Sequence, residues 1–179
     1  MEEQIMLSVF TDPMMGLSYE SEPILDALAR RYGERLVIRY VMRVLVRDVS
    51  DFMTPAERAL PPEQGIPLYC KRLAKIYKSE ESIGGLPINM EDFHLFDPEH
   101  RSSKPLCLAY KAAQIAAPDW ADAFLLNLRH ATVLDCRPPF RSPRPGRWKR
   151  TSRNQYTSRR RKKLLCSCRR GRRPGSPSP

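Results

Sequence analysis

Gln4-Ile5-Met6-Leu7-Ser8-Val9-Phe10-Thr11-Asp12-Pro13-Met14-Met15-Gly16-Leu17-Ser18-Tyr19-Glu20-Ser21-Glu22-Pro23 is the stretch on which the fold reading turns. Gln4 to Phe10 is apolar and β-rich and runs into Asp12-Pro13. Proline has no N–H for a central ladder, so the sequence predicts a strand that stops there and turns. Gly16 to Tyr32 then reads as a helix: Tyr19, Ile24, Leu25 and Leu28 recur at near-helical spacing, with Glu20 and Glu22 early and Arg30 and Arg31 late, each favourable to the helix dipole. Pro23 inside it removes a hydrogen bond and predicts a kink or a second start after Ser21. Gly33 fits as the C-terminal stop.

Working outward, Arg35 to Leu45 reads as the next strand, with Leu36, Ile38, Tyr40 and Met42 on one side and Val37, Val41 and Leu45 on the other. Apolar residues on both faces predict a buried strand. Strand, helix and strand in so short a span form a βαβ unit, and a parallel pair joined by a helix should be right-handed. From Val46 to about Cys136 the period becomes helical. Tyr69, Leu73, Ile76 and Tyr77 mark a helix expected to end before Ser82-Ile83-Gly84-Gly85-Leu86-Pro87. Leu106, Ala109, Tyr110 and Ala113 mark a second helix ending before Pro118, and Trp120, Phe124, Leu125 and Leu128 a third begun by Asp119.

Charge divides the chain. Residues 1–136 hold 15 Lys and Arg against 20 Asp and Glu, whereas residues 137–179 hold 16 basic residues, 7 prolines and no acid. The body therefore gives no nucleic-acid signal, and the basic stretch reads as a disordered appendage too poor in aliphatic residues to offset the entropy of ordering. The organisation expected is a βαβ unit over 1–46, a helical insert over 47–136 and a disordered Arg/Pro-rich tail over 137–179. The tail has the composition of a G/C-rich gene read out of frame, which predicts that a one-base shift near codon 136 opens a strand–strand–helix continuation. No apolar run approaches the roughly 20 residues of a membrane span. Glu2 and Glu3 stand where a secretory signal would be basic. Five scattered cysteines, Cys70, Cys107, Cys136, Cys166 and Cys168, fit a reducing compartment, so the cytoplasm is the expected location.

Val9-Phe10-Thr11-Asp12-Pro13-Met14, a four-residue site, Tyr19 and then Glu22-Pro23 resemble the DsbA-like, FrnE-type branch of the thioredoxin fold, whose pattern is D-P-x-C-x-x-C, an aromatic residue and Glu-Pro. Met15 falls on the first cysteine and Ser18 on the second. The resemblance covers roughly residues 4–135 and implies an incomplete α/β thioredoxin-like fold: a βαβ start and a helical insert, without the family's returning β-hairpin, final helix and cis-proline loop. It also implies an exposed sheet edge and an uncovered apolar face. Thiol–disulfide exchange needs a thiolate nucleophile and a resolving thiol. A thioether and a hydroxyl supply neither, so the resemblance places Met15 and Ser18 as equivalents of redox residues with no catalytic residue present. The expected role is at most peptide or protein binding by Pro13, Met14, Met15, Gly16, Leu17, Ser18 and Tyr19, with no cofactor. Two other readings stand beside it: an unusual thiol–disulfide oxidoreductase, and nucleic-acid binding through the tail.

The remaining candidates have bland readings. Met14 and Met15 could offer thioethers to Cu(I), but one adjacent pair is better read as apolar contact surface. Ser18 has no His near it in sequence to act as a base, which favours a hydroxyl tied to the local backbone of the first helical turn. His94, His100 and His130 match no zinc spacing, so no metal site is expected, and the loop pair reads as histidines beside solvated acids. Cys70 and Cys107 read as inert core residues, and Cys166-Ser167-Cys168 lacks a second Cys/His pair for zinc. Arg159-Arg160-Arg161-Lys162-Lys163, with Trp148 and Tyr156 upstream, would bind polyanions non-specifically by charge. The sequence does not indicate an oligomeric state.

Overall fold

The computed structural model describes residues 4–91, 93–134 and 136. The chain divides into two units, Met1–Arg141 and Ser142–Pro179. Everything described belongs to the first, so the readings placed on the 137–179 tail lie outside the described residues.

Strand β1 (Ile5–Thr11) leads through the Asp12–Met15 turn to helix α1 (Gly16–Glu20), which gives way at Ser21 to α2 (Glu22–Tyr32). Pro23 sits in the first turn of α2, where its missing N–H costs nothing. The expected restart after Ser21 is therefore what forms. Gly33, at φ +57°, closes α2 by donating its N–H to Ala29. Strand β2 (Leu36–Met42) lies parallel to β1, from Ile5 opposite Leu36 to Thr11 opposite Met42, and the Arg43 N–H extends the ladder to Thr11 O (2.9 Å). Then come a short 3₁₀ turn (Val49–Phe52) and helices α3 (Pro55–Arg58), α4 (Pro62–Gly84), α5 (Lys104–Ala116) and α6 (Pro118–Val133). The result is an α/β arrangement, a βαβ unit with a parallel strand pair followed by helices.

Three sequence expectations need correction. Helix α4 does not stop before Ser82: it continues to Gly84 and ends only when Gly85 adopts the left-handed conformation (φ +70°), donating its N–H to Glu81. Gly84 itself is helical, and α1 crosses so closely there that a Cβ would collide with the Glu20 carbonyl oxygen, which requires glycine at this position. Helix α6 begins at Pro118, one residue before Asp119, which occupies its first turn. Finally, β2 is not a buried strand, since Tyr40 alone among its residues is buried.

The reason for the last point lies in where the core sits. One face of the sheet packs Val9, Ile38, Tyr40 and Met42 against Leu25 of α2, Tyr110 of α5 and Leu125 of α6. The opposite face, carrying Met6, Phe10, Val37 and Val41, has no covering element among the described residues, and Met6 and Phe10 remain 65% and 64% exposed. The larger core belongs to the helices, where Val49, Ile66, Tyr69, Cys70, Tyr77 and Leu95 close around each other. Met14 and Tyr19, from the turn and α1, are buried in that helical core. No helix among the described residues is long and apolar enough to cross a membrane.

Candidate functional site

Asp12, the last residue before the proline, organises the strand-to-helix junction. Its Oδ1 accepts the Met14 N–H (2.9 Å), closing an Asx turn, while its carbonyl accepts the Met15 N–H (3.1 Å). Its Oδ2 accepts the Leu45 N–H (2.9 Å), the Ser103 hydroxyl and the Cys107 thiol (3.5 Å). A fully buried carboxylate is thus met by donors from its own turn, the loop after β2 and the start of α5. The turn is pinned again from outside: Tyr77 donates its hydroxyl to Met14 O, and Thr132 donates to Pro13 O (3.2 Å).

This pinning decides which of the candidate residues face out. Pro13, Met14, Gly16, Ser18 and Tyr19 are buried; Met15 is half-buried and Leu17 exposed. Gly16 is required by close approach, because a Cβ there would collide with Glu80 Oε2 and lie 3.0 Å from the Tyr77 ring. Tyr19 donates its hydroxyl to Pro87 O (3.2 Å), meets His130 edge-on (5.7 Å between centroids), and has its phenol pushed up to about 12 by burial, then by the charges of Glu20 and Glu81. The seven candidates therefore form one segment, of which only Met15 and Leu17 offer surface to a partner.

Ser18 is not tied to its own helical turn. Its hydroxyl accepts from Thr11 Oγ1 (2.8 Å), which in turn accepts from the Arg129 guanidinium (2.7 Å). Arg129 is completely buried, ion-paired with Glu22, and stacked 5.5 Å from the Tyr40 ring centroid; desolvation lowers its pKa to about 10, with the Asp12 charge opposing. A polar chain thus runs from Glu22 through Arg129 and Thr11 to Ser18. Sequence reasoning missed Arg129, 118 residues from Thr11, because no local pattern signals such a contact.

A second buried group adjoins the first helix. Glu20 is fully buried, with Oε2 accepting the Gly84 and Leu86 N–H groups (3.1 and 3.2 Å) and Oε1 without a hydrogen-bond partner among the described residues. Glu80 Oε2 is likewise buried and unpartnered among them. Burial raises both carboxyl pKa values, and the Glu20 charge raises that of Glu80 further.

The three cysteines among the described residues lie away from positions 15 and 18 in sequence and are buried. Cys70 and Cys107 are buried, and desolvation pushes both thiols up, Cys107 to about 12 with help from the Asp12 charge. Cys136 is also buried and outside any disulfide. His100 is held by Asp97 (Nδ1···Oδ1 2.9 Å) in a loop that Asp97 caps. Among the described residues no three His, Cys, Asp or Glu side chains gather as a metal-binding group.

Beside the junction lies a hollow of about 160 Å³ whose mouth is apolar: Met15, Leu45, Phe52, Leu73 and Ile76 line it, with Tyr77 at its floor. Leu45, Phe52 and Ile76 are exposed there, and Asp12 and Glu80 also line the hollow.

Two solved structures superpose on this chain. A putative protein disulfide isomerase from Nitrosomonas europaea superposes with a TM-score of 0.55 at 15% identity, over 75% of this chain and 58% of that one. The cytosolic disulfide reductase DsbM from Pseudomonas aeruginosa, solved with GSH, superposes with a TM-score of 0.49 at 20% identity, over 74% and 57%. The chain thus spans somewhat over half the length of these structures. A search of curated protein sequences returns no match. A family model described as thioredoxin matches residues 8–138, from within β1 to just beyond α6, and the chain belongs to that family.

Proposed function

We propose that this chain is a binding module of the thioredoxin family that performs no thiol–disulfide exchange and takes an apolar side chain of a peptide or protein partner beside Met15 and Leu17. The observation that carries the reading is chemical: a thioether, Met15, and a hydroxyl, Ser18, fall where the pattern that the sequence resembles has its two cysteines, and the thiol that reaches Asp12, that of Cys107, is buried with its pKa pushed up. The apolar hollow next to Met15 supplies the surface, since an aliphatic side chain seated there would be shielded by Leu45, Phe52 and Ile76. Burying one such side chain contributes about 1.5–3 kcal/mol, enough for a weak peptide site.

Two measurements test this. Insulin reduction by the purified full-length chain should stay at the uncatalysed rate, and turnover that persists with every cysteine blocked would overturn the inactive reading. A hydrophobic peptide array should show binding that Leu45→Asp and Ile76→Asp, both exposed positions lining the hollow, each weaken by about tenfold or more, the equivalent of one lost apolar contact. Binding unchanged in both variants would remove the hollow from consideration. A Met15→Cys, Ser18→Cys double variant separates the loss of sulfur from a loss of scaffold. The thiol introduced in place of Met15, at the half-exposed start of α1, should titrate below the ordinary thiol value of about 8.5. Two ordinary thiols would count against the assignment of the junction.

A further inference from the structure

Behind the loop that carries Leu45, a separate open hollow of about 620 Å³ is lined by Met42, Arg43, Val44, Arg47, Ser102 and Lys104. Arg43, Arg47 and Lys104 are all exposed, and none forms an ion pair among the described residues. The acid closest in sequence, Asp48, is engaged by Arg101 through two hydrogen bonds (2.7 and 2.9 Å), with Ser50 on the same carboxylate. It is therefore not available to neutralise its neighbour Arg47.

The two segments that carry the three cations are joined by hydrogen bonds. Val46 O accepts from Ser102 Oγ (2.8 Å) and from the Ser103 N–H (3.0 Å), the Val46 N–H donates to Ser103 Oγ (3.2 Å), and Arg43 O accepts from the Cys107 thiol. The 43–47 loop is thereby fastened to the 102–107 segment on both sides of the hollow. Like charges lining one opening, without an ion pair among the described residues, repel one another, and an anion that entered would relieve that repulsion. The start of α5 adds little by direct donation, since the Lys104 N–H already goes to Ser102 Oγ (3.2 Å) and Pro105 has none. Met42 and Val44 give the same opening an apolar wall.

We infer that this hollow is a binding site for a small phosphate ester, its phosphate held by Arg43, Arg47 and Lys104 and its organic body against Met42 and Val44. Guanidinium groups suit a dianionic, tetrahedral oxyanion because each presents paired N–H donors to two oxygens. The volume is that of a small-molecule site and exceeds what a bare phosphate needs. The site is independent of the apolar hollow, and either can exist without the other.

The test titrates inorganic phosphate and phenyl phosphate, at constant ionic strength, into the ¹⁵N-labelled full chain, so that the basic residues of 137–179 are present throughout and read separately. The expected result is saturable shifts at the amides of Arg43, Val44, Arg47, Ser102 and Lys104, with phenyl phosphate binding several-fold tighter than phosphate. Arg47→Ala and Lys104→Ala should each weaken binding by about tenfold, and Arg47→Lys by less, because it keeps the charge but not the paired donors. Both positions are exposed, and an unchanged spectrum in the rest of the body shows that each variant is folded. If a variant does not fold, competition of chloride against phosphate in the unmodified chain decides the same point. Shifts that do not saturate, that chloride reproduces, that occur only at residues 137–179, or that survive both alanine changes overturn the site. Phenyl phosphate no tighter than phosphate overturns the assignment of an ester.

Discussion

The underside of the Asp12–Ser18 turn and the outer face of the two-stranded sheet lie a few residues apart in sequence and are opposites in construction. Under the turn, Asp12 collects four donors from three segments, Thr11 passes a hydrogen bond from Arg129 to Ser18, and Tyr77 and Thr132 fasten the two carbonyls. On the outer sheet face Met6 and Phe10 stand largely in water. The strand-to-helix junction is over-determined, whereas the sheet that leads into it is covered on one side only among the described residues. Rigidity at this position comes from buried polar contacts with several separate segments.

The sharpest way to break that contrast is Arg129→Ala. The change strands Glu22, which is largely buried, and removes the donor to Thr11 and the cation over Tyr40. Breaking a buried pair from one side costs about 3–5 kcal/mol. Urea unfolding should show a loss of that size; a loss below about 1 kcal/mol, the range of exposed pairs, would mean that the chain from Glu22 to Ser18 is a surface network rather than a core one.

Gly84→Ala comes next. The added methyl carbon would collide with the Glu20 carbonyl oxygen and fall 2.7 Å from its Oε2, so α1 and α4 must separate. Overpacking of this kind costs about 1–3 kcal/mol. In an open helix the same substitution would stabilise, because alanine has the higher helix propensity. The sign of the change in urea midpoint thus reports directly on whether α1 is seated against α4.

Such contacts mark the limit of what the sequence discloses. β1, α2, β2 and the restart at Pro23 are legible because period and proline act over neighbouring residues, and Asp12-Pro13 with Glu22-Pro23 identifies the junction. The sequence ties Ser18 to its own turn because a local partner is all that a local pattern can propose; its donor, Thr11, is fixed by Arg129, and Ser103 reaches Asp12 across 91 residues. The glycine pair Gly84-Gly85 suggests an early end to α4 because glycine usually breaks a helix, but here one glycine continues it to let α1 approach and only the next one caps. Apolar residues on both faces of β2 express a need for cover on both sides. The described residues meet that need on one.

Glu80→Gln should have a smaller effect, and one that depends on pH. Glu20 and Glu80 are raised above the ordinary carboxyl range by burial, with Glu81, Tyr19 and Tyr77 around them and Lys78 turned to Glu81. The folded state therefore binds these protons more tightly than the unfolded chain. Their contribution is complete below the unfolded value of about 4.3 and is lost as pH rises through the folded values. Glutamine cannot ionise, so the variant should gain on the native chain as pH increases from about 4 toward about 8, and the two should converge at the acid end. A constant difference across that range would show that the pair does not share a buried environment. Opposite in sign, Glu57 is held down at about 2 by the Arg72 guanidinium, so its contribution is retained above the unfolded value and lost on strong acidification.

The smallest effect belongs to the bare face and sharpens the comparison most. Phe10→Ser on β1 changes a side chain that is already 64% exposed and faces Val41 across the parallel pair. Surface substitutions of this kind fall within about 0.5 kcal/mol, although serine gives up some β propensity to phenylalanine. A near-neutral result in urea, beside the large loss from Arg129→Ala one hydrogen bond away from the neighbouring Thr11, would locate the stability of the first unit beneath the turn. A loss above about 2 kcal/mol that grows with protein concentration would instead show Phe10 buried against another molecule in solution. The uncovered face would then be an interface, and the asymmetry between the two regions would belong to the isolated chain alone.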